Sequence, residues 1–250
     1  MAHIISRIPM ELTVVTPTFN EAQNIERFLR TVSEVLCGIG HEIVIVDDDS
    51  PDQTWRVAEE LGKTYPRLRV LRRQARPSLA GSVIEGFAMA AGEAVACIDA
   101  DLQHDPSMLP KMLAELRAGA ELAVGCRYMP GGGTTEWNWV RRSQSWLATR
   151  MAQAYLGLCL RDPMSGYFLM WRKDFLRIRP QLSAQGFKIL IEIAARLQPQ
   201  RIAEVPYVFG PRLAGTSKLT AAVAFDYLAQ LRRLRATASR SPARTAHSAT

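Results

Sequence analysis

Three runs in the first hundred residues are apolar nearly along their whole length instead of on alternate positions. They are Leu12-Thr13-Val14-Val15-Thr16, Glu42-Ile43-Val44-Ile45-Val46 and Ala94-Val95-Ala96-Cys97-Ile98. A strand with one wet face alternates apolar and polar residues, whereas a uniformly apolar run needs cover on both faces. Helical patterns separate the runs. Ile25, Phe28, Leu29, Val32, Val35 and Leu36 recur at helix spacing behind Asn20 and stop at Gly38. A second helix follows Pro51, with Trp55, Val57, Ala58 and Leu61, and a third covers about residues 79–91, after a short strand at 68–71. Strand–helix alternation of this kind predicts an α/β fold: a Rossmann-like, doubly wound, mostly parallel sheet. At 250 residues it fits a single domain, here residues 11–218 behind an N-terminal extension at 1–10.

Three predicted strands run straight into polar or acidic residues: Pro17 to Glu21, Asp47-Asp48-Asp49 and Asp99-Ala100-Asp101. Open α/β sheets bind ligands in the crevice beyond the carboxyl ends of their strands. Acids gathered at one such edge repel one another unless a cation neutralises them. Asp99 and Asp101, two carboxylates at i and i+2, can reach one divalent ion of the oxygen-seeking kind, Mg2+ or Mn2+. The competing reading has Asp99 capping a helix and Asp101 solvated. His104 stands alone beside the pair and reads as a solvated or capping histidine. Glycine-rich phosphate cradles of the GxxxxGK[ST] and GxGxxG types are absent, so phosphates would have to be held by a metal and by Arg127, Arg212 and Lys218.

The second half is less regular. A strand at 121–125 leads to Arg127, then a Gly131-Gly132-Gly133 loop rich in tryptophan. An amphipathic helix is expected over 142–158 and a last one over 219–236, with a stripe of Ala224, Tyr227, Leu228, Leu231 and Leu234. Such a stripe either packs on the domain or lies on a membrane. Most of the +7 net charge lies in the last 20 residues, where Arg232, Arg233, Arg235, Arg240 and Arg244 stand with no acidic residue; the Ser/Ala-rich tail at 237–250 is expected to be disordered. Nucleic acid and an anionic membrane surface are the two partners such a tail could meet. No apolar stretch is long enough to span a bilayer, and the four scattered cysteines read as buried free thiols in a reducing cytoplasm.

Taken together, Val14-Val15-Thr16-Pro17-Thr18-Phe19-Asn20-Glu21, Val46-Asp47-Asp48-Asp49-Ser50-Pro51-Asp52 and Asp99-Ala100-Asp101-Leu102-Gln103-His104 resemble glycosyltransferase family 2, most of all its dolichol- or polyprenol-phosphate mannosyltransferase branch. Gly125-Cys126-Arg127-Tyr128, Asp162-Pro163-Met164-Ser165-Gly166-Tyr167, Gly186-Phe187-Lys188-Ile189 and Arg212-Leu213-Ala214-Gly215-Thr216-Ser217-Lys218 continue the match in order. It departs at Phe19, where Tyr is usual, at Ser78 for a common Gly, at Cys126 for Ser and at Tyr167 for Phe.

The resemblance implies a GT-A fold, a GDP-mannose donor and a polyprenyl phosphate acceptor. It implies nucleotide-sugar contacts at Pro17, Phe19, Glu21, Asp47, Asp48, Asp99, Ala100 and Asp101. Asp99, Asp101 and Gln103 would hold Mg2+ or Mn2+. Asp101, Arg127, Arg212 and Lys218 would be catalytic, and Arg141, Arg142 and Ser165 would meet the acceptor phosphate. The place of action would be the cytoplasmic face of a membrane, reached peripherally or through a small membrane-protein partner, with no nucleic acid involved. Two other readings remain: a relative using UDP-glucose or another nucleotide sugar on the same lipid, and a non-catalytic nucleotide-binding or scaffold protein.

Overall fold

The computed structural model describes residues 9–74, 76–135, 139–157, 159–184, 188–211 and 230–234. The strands are β1 (Leu12–Thr18), β2 (His41–Asp47), β3 (Leu68–Arg72), β4 (Ala94–Cys97), β5 (Leu122–Cys126), β6 (Gly133–Thr134), β7 (Phe168–Trp171), β8 (Ile202–Pro206) and β9 (Val208–Phe209). The helices are α1 (Ile25–Val35), α2 (Thr54–Leu61), α3 (Leu79–Met89), α4 (Leu109–Arg117), α5 (Trp139–Leu156), α6 (Arg172–Ile178) and α7 (Ile189–Leu197).

Seven strands form one sheet in the order β3-β2-β1-β4-β7-β5-β8. All pairings are parallel except those of β7, which runs antiparallel to β4 and β5. From β1 the chain winds outward through β2 and β3, then returns to lay β4 on the other side of β1. The switch point therefore lies between β1 and β4, and a ligand crevice opens beyond their carboxyl ends.

Successive strand residues face opposite layers, and both layers are covered. Leu12, Val14, Ile43, Ile45, Ala96 and Leu169 pack with residues of α1, α2 and α4. Val15, Val44, Val46, Val95, Phe168 and Met170 pack with residues of α3, α6 and α7. Phe87 of α3 meets Phe168 and Phe175 edge-on, with centroids 6.0 and 5.3 Å apart. A fully buried phenylalanine contributes about 1.5–3 kcal/mol by burial alone. This two-sided cover is why the strands are uniformly apolar.

Several boundaries differ from the sequence reading. Asn20 is not the start of α1: it sits in a left-handed conformation (φ 59°), and a turn intervenes before Ile25. The helix expected over 142–158 begins earlier, at Trp139, and ends at Leu156. Cys97 and Cys126 are buried, but Cys37 and Cys159 are exposed. Residues 230–234 belong to the expected last helix. Leu231 and Leu234 are buried beside Ala152 and Ile191, so this part of the stripe packs on the domain. The rest of that helix and the basic tail lie outside the described residues.

Candidate active site

The loops after β1 and β2 form one unit. Asn20 N donates to Ser50 Oγ (3.0 Å), Glu21 N to Thr54 Oγ1 (2.9 Å) and Ala22 N to Asp52 Oδ2 (3.0 Å). Glu21 also accepts from Asn24 Nδ2 at 2.7 Å. Pro17, Phe19 and Glu21 are half-buried along this rim.

The acids ending β2 have partners of their own. Asp47 is fully buried and accepts from Thr18 Oγ1, Ser50 N and Ser50 Oγ at 2.6–2.8 Å. Asp48 pairs with Arg73 and accepts from Ser78 N (2.8 Å) and Ser82 Oγ (2.9 Å). Burial works against the Arg73 charge, and Glu85 and Asp48 together outweigh it, raising its pKa. Asp49 pairs with Arg72 at 2.6 Å, and that guanidinium lies 4.1 Å from the Trp55 ring centroid. The expectation that five clustered acids need a metal is thus corrected. Three of them are matched by arginines, hydroxyls and backbone amides.

Asp99 and Asp101 follow β4 at the switch point. Asp101 is buried, with its Oδ1 accepting from Gln103 N at 3.1 Å, while the Asp99 side chain is 37% exposed. Asp99 does not cap a helix and Asp101 is not solvated, so that alternative fails. Leu102, directly after Asp101, has φ +58°, a conformation that costs a non-glycine residue on the order of 1–3 kcal/mol and concentrates at functional sites. Gln103 Nε2 donates to Gly210 O (3.0 Å), and Gly210 N returns a bond to Gln103 O (2.8 Å). The amide oxygen of Gln103 is thereby turned away from Gly210. Ala100 is buried beneath the pair.

Among the described residues, no group of three or more His, Cys, Asp or Glu side chains could hold a metal ion. Two carboxylates and an amide oxygen nonetheless fit Mg2+ or Mn2+. Magnesium in particular is commonly held by one or two carboxylates, with water and substrate phosphates completing the shell.

His104 is buried, not solvated. Its Nδ1 accepts from Asp99 N at 3.3 Å, which places the neutral ring's proton on Nε2. Burial, against the pull of Asp101, lowers its pKa to about 4. The ring stacks among Tyr167, Tyr207 and Phe209, with centroids 5.3–5.7 Å away. Its Cε1 would lie 3.4 Å from a Cβ added at Gly166, and the Asp99 carboxylate 3.5 Å from the same atom. The Ser165-Gly166 segment therefore closes directly over Asp99. At Gly125 a Cβ would come within 2.9 Å of the Tyr167 ring, so this glycine makes room for the aromatic cluster.

Arg127 turns inward. It is buried, and its Nε and Nη2 meet Asp162 at 2.7 and 2.8 Å, with its backbone N on the same carboxylate at 3.1 Å. Burial alone would lower the Arg127 pKa; Asp162 reverses this and raises it. Ser165 is also buried, its hydroxyl engaged with the Tyr167 backbone N (3.2 Å) and O (3.3 Å). Arg141 and Arg142 lie in the first turn of α5, but their side chains, like Arg212 and Lys218, are outside the described residues.

Sequence reasoning missed Arg73, Ser82 and Asp162 as partners. The Arg73 signal was available, since it directly follows β3 at the same sheet edge. Asp162 opens a segment of the resemblance, but Arg127 lies 35 residues away and nothing local marks the pairing.

A family model described as Glycosyl transferase family 2 matches residues 13–179. The chain is 39% identical over 227 residues to a dolichol-phosphate mannosyltransferase of Pyrococcus furiosus, covering 90% of this chain and 64% of that one. It is 34% identical to the Saccharomyces cerevisiae protein of the same name, covering 90% and 87%. It is also 34% identical to the polyprenol monophosphomannose synthase of Mycolicibacterium smegmatis, covering 83% and 80%. Among solved structures, glucosyl-3-phosphoglycerate synthase of Mycobacterium tuberculosis, crystallised with Mn2+, UDP-glucose and glycerol 3-phosphate, superposes with a TM-score of 0.65 at 20% identity. That match covers 93% of this chain and 81% of the other, and it is a likeness of fold. With a parallel sheet switching direction at the Asp99–Asp101 strand end and a family match over most of its length, the chain belongs to glycosyl transferase family 2 and is a glycosyltransferase of the GT-A fold.

Proposed function

We propose that this glycosyltransferase moves mannose from GDP-mannose to a polyprenyl phosphate of the dolichyl type. The product is a β-linked lipid phosphosugar formed with inversion. The observation that carries the reading is Asp99 and Asp101 held at the switch point in a chain 33–39% identical to proteins named for mannose transfer to such lipids.

Asp99, Asp101 and the Gln103 amide oxygen would hold Mg2+ or Mn2+, with the donor diphosphate completing the shell. Such an ion, when bound, would stabilise negative charge on the leaving diphosphate. Pro17, Phe19, Glu21, Asp48 and Ala100 would meet the nucleotide, with fully buried Asp47 and the Asp48–Arg73 pair keeping that loop in place. Arg212 and Lys218 add positive charge aimed at the diphosphate; Arg212 follows two residues after Gly210, which is pinned to Gln103. Arg127, turned inward onto Asp162, fixes the end of β5 at the rim and does not face a phosphate. Arg141 and Arg142 receive the acceptor phosphate, and Ser165 shapes the segment that closes over Asp99. A phosphate monoester has its second pKa near ~6 and is already an anion at neutral pH. It therefore needs no general base, and neutral, buried His104 acts as a support for the Asp99 backbone.

The acceptor is a membrane lipid, so the chain works on the cytoplasmic face, peripherally or with a membrane partner; among the described residues no helix is long and apolar enough to cross a bilayer. The test is incubation with a panel of radiolabelled nucleotide sugars and a short polyprenyl phosphate. Label from GDP-mannose in a β-linked lipid product is expected. Label from UDP-glucose alone would transfer the reading to the other donor, an α-linked product would overturn inversion, and no binding of GDP with manganese would favour a scaffold.

A further inference from the structure

We propose that a cavity walled by α7, by the turn after α6 and by residues 230–234 binds a small phosphate-bearing anion, outside the donor crevice. Its volume is about 290 Å³, near the lower limit of ordinary small-molecule sites. Glu192 and Arg196 line it from α7, Gln181 and Ser183 from the turn, and Gln230 and Arg233 from the C-terminal helix. None of these residues stands at the acidic strand end or in the Asp48–Arg73 network.

Charge selects the class of ligand. Arg196 lies in the last turn of α7, one turn beyond Glu192, so the two side chains share a helix face. The Arg196 Nε is buried and finds no hydrogen-bond partner among the described residues. A buried donor left in that state is a cost that a bound acceptor removes. Burial raises the Glu192 pKa against the Ser183 amide, Arg196 and Arg233, all of which lower it. Both guanidiniums therefore lie within electrostatic reach of one carboxyl, whose charged form burial disfavours. The lining is net positive whether or not Glu192 is ionised. Guanidinium forks match the oxygens of a phosphate, and the Gln181 and Gln230 amides stand at the same cavity for a ligand's remaining polar groups. The size suits a diphosphate or a hexose phosphate.

Position gives such a ligand a consequence. Ser183 N donates to Glu192 Oε1 (3.1 Å), and the next carbonyl, that of Ala184, accepts from Ser78 Oγ (2.5 Å). Ser78 N in turn donates to Asp48 (2.8 Å) on the nucleotide side. From the opposite wall, Gln230 Nε2 donates to Lys188 O (3.2 Å) and Lys188 Nζ to Met164 O (3.3 Å), beside the Ser165-Gly166 segment that closes over Asp99. Two walls of the cavity are thus hydrogen-bonded to the donor side, so a ligand that orders them alters donor affinity.

The test titrates the full chain calorimetrically in the absence of divalent ions, so that the donor's diphosphate site is not assembled. The probes are inorganic phosphate, pyrophosphate, glucose 6-phosphate and the soluble lipid dihexanoyl phosphatidic acid, with malonate as a carboxylate control. Phosphates should bind. Arg196→Met and Arg233→Met, on different walls in case one fails to fold, should each weaken that binding at least about tenfold, and Arg196→Lys should recover part of it. Preference for glucose 6-phosphate over the lipid assigns a free phosphate as the source; the reverse preference assigns a headgroup. GDP binding with manganese is then measured with and without the preferred anion, and its affinity should shift in wild type but not in Arg196→Met. The same shift in both would place the anion in the donor crevice and overturn the proposal. So would no phosphate binding to wild type, tighter binding of malonate, or binding undiminished in both arginine variants. An unshifted GDP affinity in wild type would refute the link to the donor side. None of these measurements requires sugar transfer, so a chain that transfers no mannose would retire the proposed function and leave this site standing.

Discussion

Replacing Asp162 by Asn would expose how much the rim depends on one buried ion pair. The Asp162 side chain is fully buried and that of Arg127 is 6% exposed, so solvent screening gives little relief. The carboxylate accepts three bonds from Arg127: two from the guanidinium and one from the backbone. Asparagine keeps the shape but removes the charge, and turns a donor toward a donor. Breaking a buried pair from one side costs about 3–5 kcal/mol, because the remaining charge stays desolvated. For a domain of this size each kcal/mol lowers the melting temperature by roughly 2–4 °C, which gives a drop of about 6–20 °C. Thermal unfolding of Asp162→Asn, Arg127→Met and the double variant would measure this. The double variant should recover at least about 2 kcal/mol of the summed losses, since neither charge is then stranded. A single-variant loss under about 1 kcal/mol, or strictly additive losses, would refute the reasoning.

Asp101→Asn should retain the acceptor for Gln103 N and hence the fold, yet lose coupled binding of GDP and manganese and about a thousandfold in turnover; near-normal turnover would sink the metal assignment. Arg73→Met strands the Asp48 carboxylate, so a loss of about 3 kcal/mol or more is expected, with a raised KM for the donor and a smaller change in kcat. Unaltered melting and KM would remove Arg73 from the nucleotide side. Burial raises the pKa of Glu192 in the folded state, against the lowering effect of the Ser183 amide. The unfolded chain therefore releases its proton first, and Glu192 costs stability increasingly as pH rises from the ordinary glutamate value through the folded one. Glu192→Gln should flatten that part of the stability–pH curve, and an unchanged slope would contradict the assignment.

The sheet could be read from the chain because burial on both faces leaves a local mark. Uniform apolar runs separated by helix-period segments specify covered strands and their crossovers, and a residue's period depends only on its near neighbours. Asp99 and Asp101 were legible for the same reason, since they directly follow such a run. What those acids meet was not legible. Asp47, Asp48 and Asp49 look alike in sequence, but Arg73, Arg72 and the serine and threonine hydroxyls neutralise or bind each one differently. His104, a lone polar residue in the chain, becomes a buried support only where Tyr167, Tyr207 and Phe209 converge from distant segments. Arg127 reads as a phosphate-facing cation until Asp162, 35 residues away, turns its guanidinium inward. Pattern along the chain determined the architecture and the acidic strand end. Pairing across the chain decided which charges remain for a ligand, because charge compensation acts through space over a few ångströms and carries no period in sequence.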